Sequence, residues 1–334
     1  MHTLNAYGSV SVQTKGGRGF SGSSLKARKR GVRMFGSLKD ILEADEERGT
    51  SFWETVMEDD RREENISMEK SLAKMNEIWQ AMLESDREYD EKLKSASGLT
   101  GTDAAKIGRH REDSLCSEFG SRILERALRI AESNACMKRI VAAPTAGSSG
   151  VVPAVLISMQ ERYHYSDEYM VRSLYVAAGI GGVIAVRASL SGAEGGCQAE
   201  IGSASAMAAG AAVFLRGGTD RMIADAAAIA LSGLMGLVCD PVAGLVEVPC
   251  VKRNPVGAFN AIAAAEMALS GITSRIPPDE VIDAMKSVGH LTASELRETG
   301  KGGLAATPTG REISRKLTAG SPAAAESPAK PETV

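Results

Sequence analysis

Between about residues 140 and 270 the chain is built mainly of alanine, glycine and valine, and charge is sparse. This stretch constrains the fold more than any other. Such small residues let helices approach closely but give a β-sandwich little to pack with. Aromatic residues make up only 4% of the chain, which points the same way. The expected fold is therefore mostly α: a compact multi-helix domain whose dense apolar core lies in this stretch. The longest uncharged apolar run, "SLYVAAGIGGVIAV" from Ser173 to Val186, closes at Arg187. It falls short of the roughly 18–20 residues a membrane span needs, so it reads as a buried core helix.

The remainder divides around that core. Residues 1–33 carry seven Lys/Arg and no acid among glycines and serines, and read as a disordered basic extension. Residues 34–94 form a highly charged helical N-terminal region. Ser37 is an N-cap candidate before Leu38, Ile41 and Leu42. Trp53, Val56 and Met57 make one apolar stripe; Leu72, Met75, Ile78, Trp79, Met82 and Leu83 make another at helical spacing. These stripes pack on the chain's own core or on a partner. "SASGLTGTDAAK" (Ser95–Lys106) reads as a loop entering a helix, capped by Thr102 or Asp103, and a further helix is expected over Ser117–Ala135. Residues 95–317 are expected to form the main helical unit, and 318–334, rich in Ser, Pro and Ala, a disordered tail.

Formal net charge is −3, so nothing calls for nucleic acid as a partner. Five cysteines is an odd number, and the polar, basic N-terminus lacks an apolar signal segment. Both favour reduced thiols in the cytoplasm over a secreted disulfide framework.

Three cysteines sit in glycine- or proline-marked turns: Cys197 in "EGGCQAEIG", Cys239 in "GLVCDPVAGL" and Cys250 in "VEVPCVKRN". Their intervals of 42 and 11 residues contain no CxxC pair, so a zinc ribbon is not indicated. Rigid turns bearing thiols suit a bulky inorganic cluster, but spacing alone favours three buried cysteines in an alanine-rich core. "PTAGSSG" offers the hydroxyls of Thr145, Ser148 and Ser149 with Gly147 between them. A helix starting near Val151 would turn its N-terminus to an anion there. A plain helix cap is the competing reading, and a phosphate loop is disfavoured because the GxxxxGK[ST] lysine is absent.

"AAPTAGSSGVVPAVL", "GGCQAEIGSASAMAAG", "GLVCDPVAGLVEVPCVKRNPVGAFNAIAAAEMAL" and "RETGKGGLAATPTG" together resemble the iron–sulfur-dependent L-serine dehydratases. The resemblance is to the α chain of the two-chain form and runs from about Met34 to Gly310. "FGSLKDILE" and "SGLTGTDAAK" share it. It implies a largely helical catalytic chain in which Cys197, Cys239 and Cys250 ligate a [4Fe–4S] cluster. Three thiolates leave one iron open to act as a Lewis acid on the β-hydroxyl of L-serine. Loss of the α-proton and hydroxide then leads to pyruvate and ammonia. Thr145, Gly147, Ser148 and Ser149 would cradle the carboxylate, with Ser97, Thr100, Arg297 and Lys301 as further candidates. No catalytic base is identified. His2, His110, His164 and His290 all lie outside these motifs, so the base is expected on the β chain that the resemblance implies. Cys116 and Cys136 read as lone core cysteines. Similar clusters would also serve an L-cysteine desulfidase or a threonine dehydratase, and a helical scaffold with core cysteines is the non-enzyme alternative. A pyridoxal-phosphate enzyme is disfavoured, because no lysine follows "PTAGSSG" before Lys252.

Overall fold

The computed structural model describes residues 2–3 and 35–319. The expectations for 1–33 and for the tail therefore lie almost wholly outside the described residues. Within them the fold is mostly α. The α-helices are α1 Leu38–Arg48, α2 Phe52–Glu64, α3 Met68–Arg87, α4 Asp103–Arg109, α5 Glu118–Ala135, α6 Val151–Tyr163 and α7 Asp167–Arg187. They continue with α8 Gly192–Gly195, α9 Ser203–Leu215, α10 Asp220–Gly233, α11 Cys250–Leu269, α12 Pro278–Leu291 and α13 Pro308–Ala319. Strand structure among the described residues is limited to two two-residue segments, His2–Thr3 pairing in parallel with Val141–Ala142, and an isolated bridge between Cys239 and Arg297.

Helices α7 and α9 form the centre, as the alanine and glycine content predicts. α9 packs on α7, α10, α11 and α6, while α2 and α3 cover α7 from the other side. Such crossings need missing side chains. A Cβ on Gly179 would stand 2.6 Å from Val56 and 3.0 Å from Phe52, and one on Gly210 would collide with Ile180. The run at Ser173–Val186 is the core of α7, and 78% of its most apolar stretch is buried inside the protein.

The N-terminal stripes belong to this same core. Phe52, Val56, Met75, Ile78, Trp79 and Met82 are buried in the main cluster with residues of α6, α7 and α9. Ser37 caps α1, its Oγ accepting from the Asp40 N–H at 2.9 Å. Ser117 caps α5 in the same way, accepting from Gly120 at 3.2 Å. Thr102 occupies the N-cap position of α4 but makes no side-chain cap. Glu132 of α5 does that work, accepting from the N–H groups of Asp103 at 2.8 Å and Ala104 at 3.3 Å. A carboxylate there complements both the unpaired N–H groups and the helix dipole.

Candidate functional site

Three segments far apart in sequence meet at one point. Cys197 precedes a π-helical turn, Gln198–Gly202, that runs directly into α9. Single π turns are often found where a side chain has to be re-aimed. Cys239 lies in the extended link after α10, strapped to the following segment: its N–H donates to Leu296 O at 2.8 Å and its carbonyl accepts from Glu298 N at 2.7 Å. Cys250 opens α11 behind Pro249. All three are buried, at 2%, 2% and 6% exposure. The sulfurs of Cys197 and Cys239 lie within 4.8 Å of each other, and the Cys250 thiol is close enough to act on the same Cys197 sulfur.

Arg253, one turn into α11, donates Nη1–H to the same sulfur at 3.3 Å and to Val238 O at 2.8 Å. Its Nη2–H goes to Asp240 Oδ1 at 2.8 Å. These donors push the Cys197 thiol down, the two neighbouring thiols contributing most and the guanidinium less, against burial. Cys239 and Cys250 are pushed up, because each donates to Cys197, is buried and faces its charge. One thiolate shared among three sulfurs is the result.

A carboxylate that the sequence reading missed joins this group. Ligand atoms of Cys197, Glu200 and Cys239 all lie within 4.8 Å of one another. Glu200 Oε1 accepts from Thr145 Oγ1 at 2.8 Å, and Oε2 lies 4.0 Å from the Cys197 sulfur. Burial first, and the Cys197 charge second, push Glu200 up to about 7. The clearance is tight: a Cβ on Gly192 would stand 2.8 Å from Glu200 Oε2 and 3.1 Å from Cys239 Sγ. The available signal was that Glu200 is the single acid between Glu194 and Asp220.

Glu200 also brings in the "PTAGSSG" loop. The loop ends at Gly150, and α6 begins at Val151, so its N-terminus faces the loop as expected. Ser148 is fully buried and shares a 3.1 Å hydrogen bond with Thr145. Ser149 is fully buried too, and its Oγ has no hydrogen-bond partner among the described residues. Asn254 staples the loop to α11: Oδ1 accepts from Gly150 N at 2.8 Å, and Nδ2 donates to Gly147 O at 2.8 Å and Cys250 O at 3.0 Å. Asn254 and Arg253 were both passed over in the sequence, because nothing in "VKRNPVG" marks a buried asparagine or arginine.

The other candidates are more scattered. Ser97 and Ser95 donate to Glu247 Oε2 at 2.7 and 2.6 Å, which ties "SASGLTG" to the segment leading into Cys250. Thr100 is buried in that loop, and its carbonyl accepts from Ser95 N at 3.0 Å. Arg297, whose backbone bridges to Cys239, lines a neighbouring cavity with Lys286 and His290; that lining includes no cysteine but does include Gly195, Gln198 and Ala199, which flank Cys197. Lys301 is exposed. His110, His164 and His290 are exposed, and His2 is described only through its backbone pairing. Cys116 and Cys136 are half-buried, and neither joins the thiol group.

A cubane cluster needs thiolates from one side, closely spaced and with small neighbours. Three converging buried cysteines, an ionised sulfur among them, and the bare face of Gly192 against Cys239 meet that requirement.

A family profile described as serine dehydratase alpha chain matches residues 47–305. A protein of Bacillus subtilis (strain 168) named probable L-serine dehydratase, alpha chain, is 46% identical over 289 residues, covering 86% of this chain and 96% of the relative. The L-serine dehydratase alpha chain of Peptoniphilus asaccharolyticus is 39% identical over 291 residues, covering 84% of this chain and 98% of the relative. An L-serine dehydratase of Mycobacterium tuberculosis is 46% identical over 187 residues, which are 54% of this chain but 40% of that longer protein. With a family match across most of its length and relatives aligned nearly end to end, this chain belongs to the serine dehydratase alpha chain family.

Proposed function

We propose that this chain is the catalytic subunit of an L-serine ammonia-lyase that converts L-serine to pyruvate and ammonia. One observation carries the reading. Glu200 joins a trio of buried thiols to a hydroxyl-lined loop at a helix N-terminus, so a metal-binding half and an anion-binding half form one site. Cys197, Cys239 and Cys250 would hold a [4Fe–4S] cluster. When bound, the cluster supplies Lewis acidity toward the substrate hydroxyl, through the iron that three thiolates leave without a protein ligand.

The chain's own residues do the rest. Ser149 Oγ, buried without a partner, offers a hydrogen bond to the substrate carboxylate, supported by the N-terminus of α6, while the Thr145 hydroxyl is spent on Glu200. Ser148 holds Thr145 in place. Asn254 keeps loop and cluster ligands in register through three hydrogen bonds. Glu200 is positioned to hold a proton at Oε2 between the two halves. The group that first removes the α-proton is assigned to a partner β chain, since His110, His164 and His290 are not among the groups that hydrogen-bond to the Cys197 sulfur or to Glu200. Assembly with that chain and a cytoplasmic setting, where the five free cysteines stay reduced, complete the proposal.

The test is pyruvate release by anaerobically prepared, cluster-reconstituted protein, alone and with the β chain, with iron measured on the same sample. Brown protein with about four irons, releasing pyruvate only with the partner, is the expected outcome. Brown protein that ignores serine but frees sulfide from cysteine would change the substrate. Protein that takes up no iron would remove the cluster.

A further inference from the structure

A cavity of about 360 Å³ opens between α12 and the segment around α8, and its lining includes neither the three cysteines nor Glu200 nor Thr145. Two cationic side chains reach it from different elements: Lys286 from α12 and Arg297 from the link after Leu296. His290 sits one helical turn beyond Lys286, on the same face of α12. None of the three side chains makes a hydrogen bond or ion pair among the described residues. Arg297 Nε is buried and without a partner. A buried guanidinium N–H without an acceptor is destabilising, and an acceptor brought in by a ligand relieves it. Arg111 and Arg129 also leave a buried Nε without a partner, but both guanidinium groups pair with Glu125 through a terminal nitrogen, whereas no ion pair or hydrogen bond among the described residues holds the Arg297 side chain.

The wall is already set. Gln198 Nε2 donates to Met285 O at 3.0 Å and its Oε1 accepts from Gly236 N at 2.8 Å, so this buried amide is committed to the protein. One negative group also lines the cavity: Glu194, whose carboxylate accepts from Ser189 Oγ at 2.6 Å. Cations and a single carboxylate around one small volume suit a zwitterion better than a plain anion. The volume sits near the low end of the range for small-molecule sites and excludes anything large.

We propose that this cavity is a second ligand site of the chain, which binds a small α-amino acid. Its carboxylate lies against Arg297 and Lys286, the guanidinium offering the planar pair of donors that a carboxylate matches. Its ammonium faces Glu194. The site stands whether or not the thiol trio carries a cluster or acts on serine.

The experiment is ligand-observed NMR on the full chain, with glycine and acetate as the probes. Glycine binding is expected to weaken about tenfold or more in Arg297→Gln and in Lys286→Gln, as loss of a charge-assisted pair predicts. Arg297→Lys should recover part of it. Thr145→Val, at the thiol site, should leave this binding in place. Glu194→Gln should weaken glycine and leave acetate unchanged. Thermal melts establish that each variant is folded. Glycine binding unchanged by Arg297→Gln and Lys286→Gln would overturn the site. Loss in Thr145→Val as well would make the cavity part of the thiol site and overturn its independence. An equal response of glycine and acetate to Glu194→Gln would overturn the amino-acid assignment.

Discussion

Arg253 and Asp240 form a buried pair, with side chains 15% and 4% exposed, that holds two features at once. The guanidinium reaches the Cys197 sulfur, and the second oxygen of Asp240 accepts from Leu304 N at 2.8 Å. Arg253→Met leaves the buried Asp240 without its ion-pair partner, and should destabilise the fold by about 3–5 kcal/mol, read by denaturant unfolding. Asp240→Asn removes the charge together with the pair and should be milder. Glu200→Gln keeps the shape but cannot take a proton. If it shuttles one, kcat should fall by about 10²–10⁴ with iron content unchanged; loss of iron instead would make Glu200 structural. At this scale the sequence was half legible. Cysteines stand out because glycine and proline flank them. Glu200, Arg253 and Asn254 do not, because their roles depend on which distant atoms they meet: Thr145 for Glu200, Asp240 for Arg253 and Gly147 for Asn254.

Helix contacts carry a different kind of prediction. Gly179 of α7 faces Val56 and Phe52 of α2, so Gly179→Val should overpack that crossing and lower stability by about 1–3 kcal/mol, measured by thermal or denaturant melts. Near the end of α1, Asp45 is 5% exposed, and burial pushes its carboxyl from 3.8 up to about 6, with the Thr55 hydroxyl acting against this and the Asp220 charge adding to it. The sign follows. A carboxyl held above its unfolded value favours the fold while it is protonated. That advantage fades as pH rises from about 4 to about 6, and above this a full penalty of about 2–3 kcal/mol applies. Asp45→Asn should therefore raise the melting temperature at pH 7 and change it little at pH 4. An equal gain at both pH values would place the effect outside titration. The helices themselves were legible from periodicity, and the Ser37 cap from residue type. The cap of α4 was not, because Glu132 supplies it from another helix.

For the whole molecule, the three thiols tie α9, the Cys239 link and α11 together, so a bound cluster acts as a cross-link across the core. Cys239→Ser should lose iron and visible absorbance, and anaerobic reconstitution should raise the melting temperature of the wild type but not of this variant. Stabilisation of both alike would detach the thiols from iron binding. Composition and pattern alone determined that this chain is helical and that a dense apolar core lies between about residues 140 and 270; they marked the turns around Cys197, Cys239 and Cys250, and the family resemblance of the surrounding motifs singled those cysteines out. Those properties are local: small residues, a 3.6-residue period and turn residues beside a thiol can be read without knowing any contact. Tertiary structure alone decided that the charged N-terminal helices complete the same core. It also decided that the three cysteines share one point with Glu200 and the Thr145 loop, and that Arg297 faces a different cavity. These are distances between residues far apart in the chain, set by how the helices cross, and no local pattern encodes them.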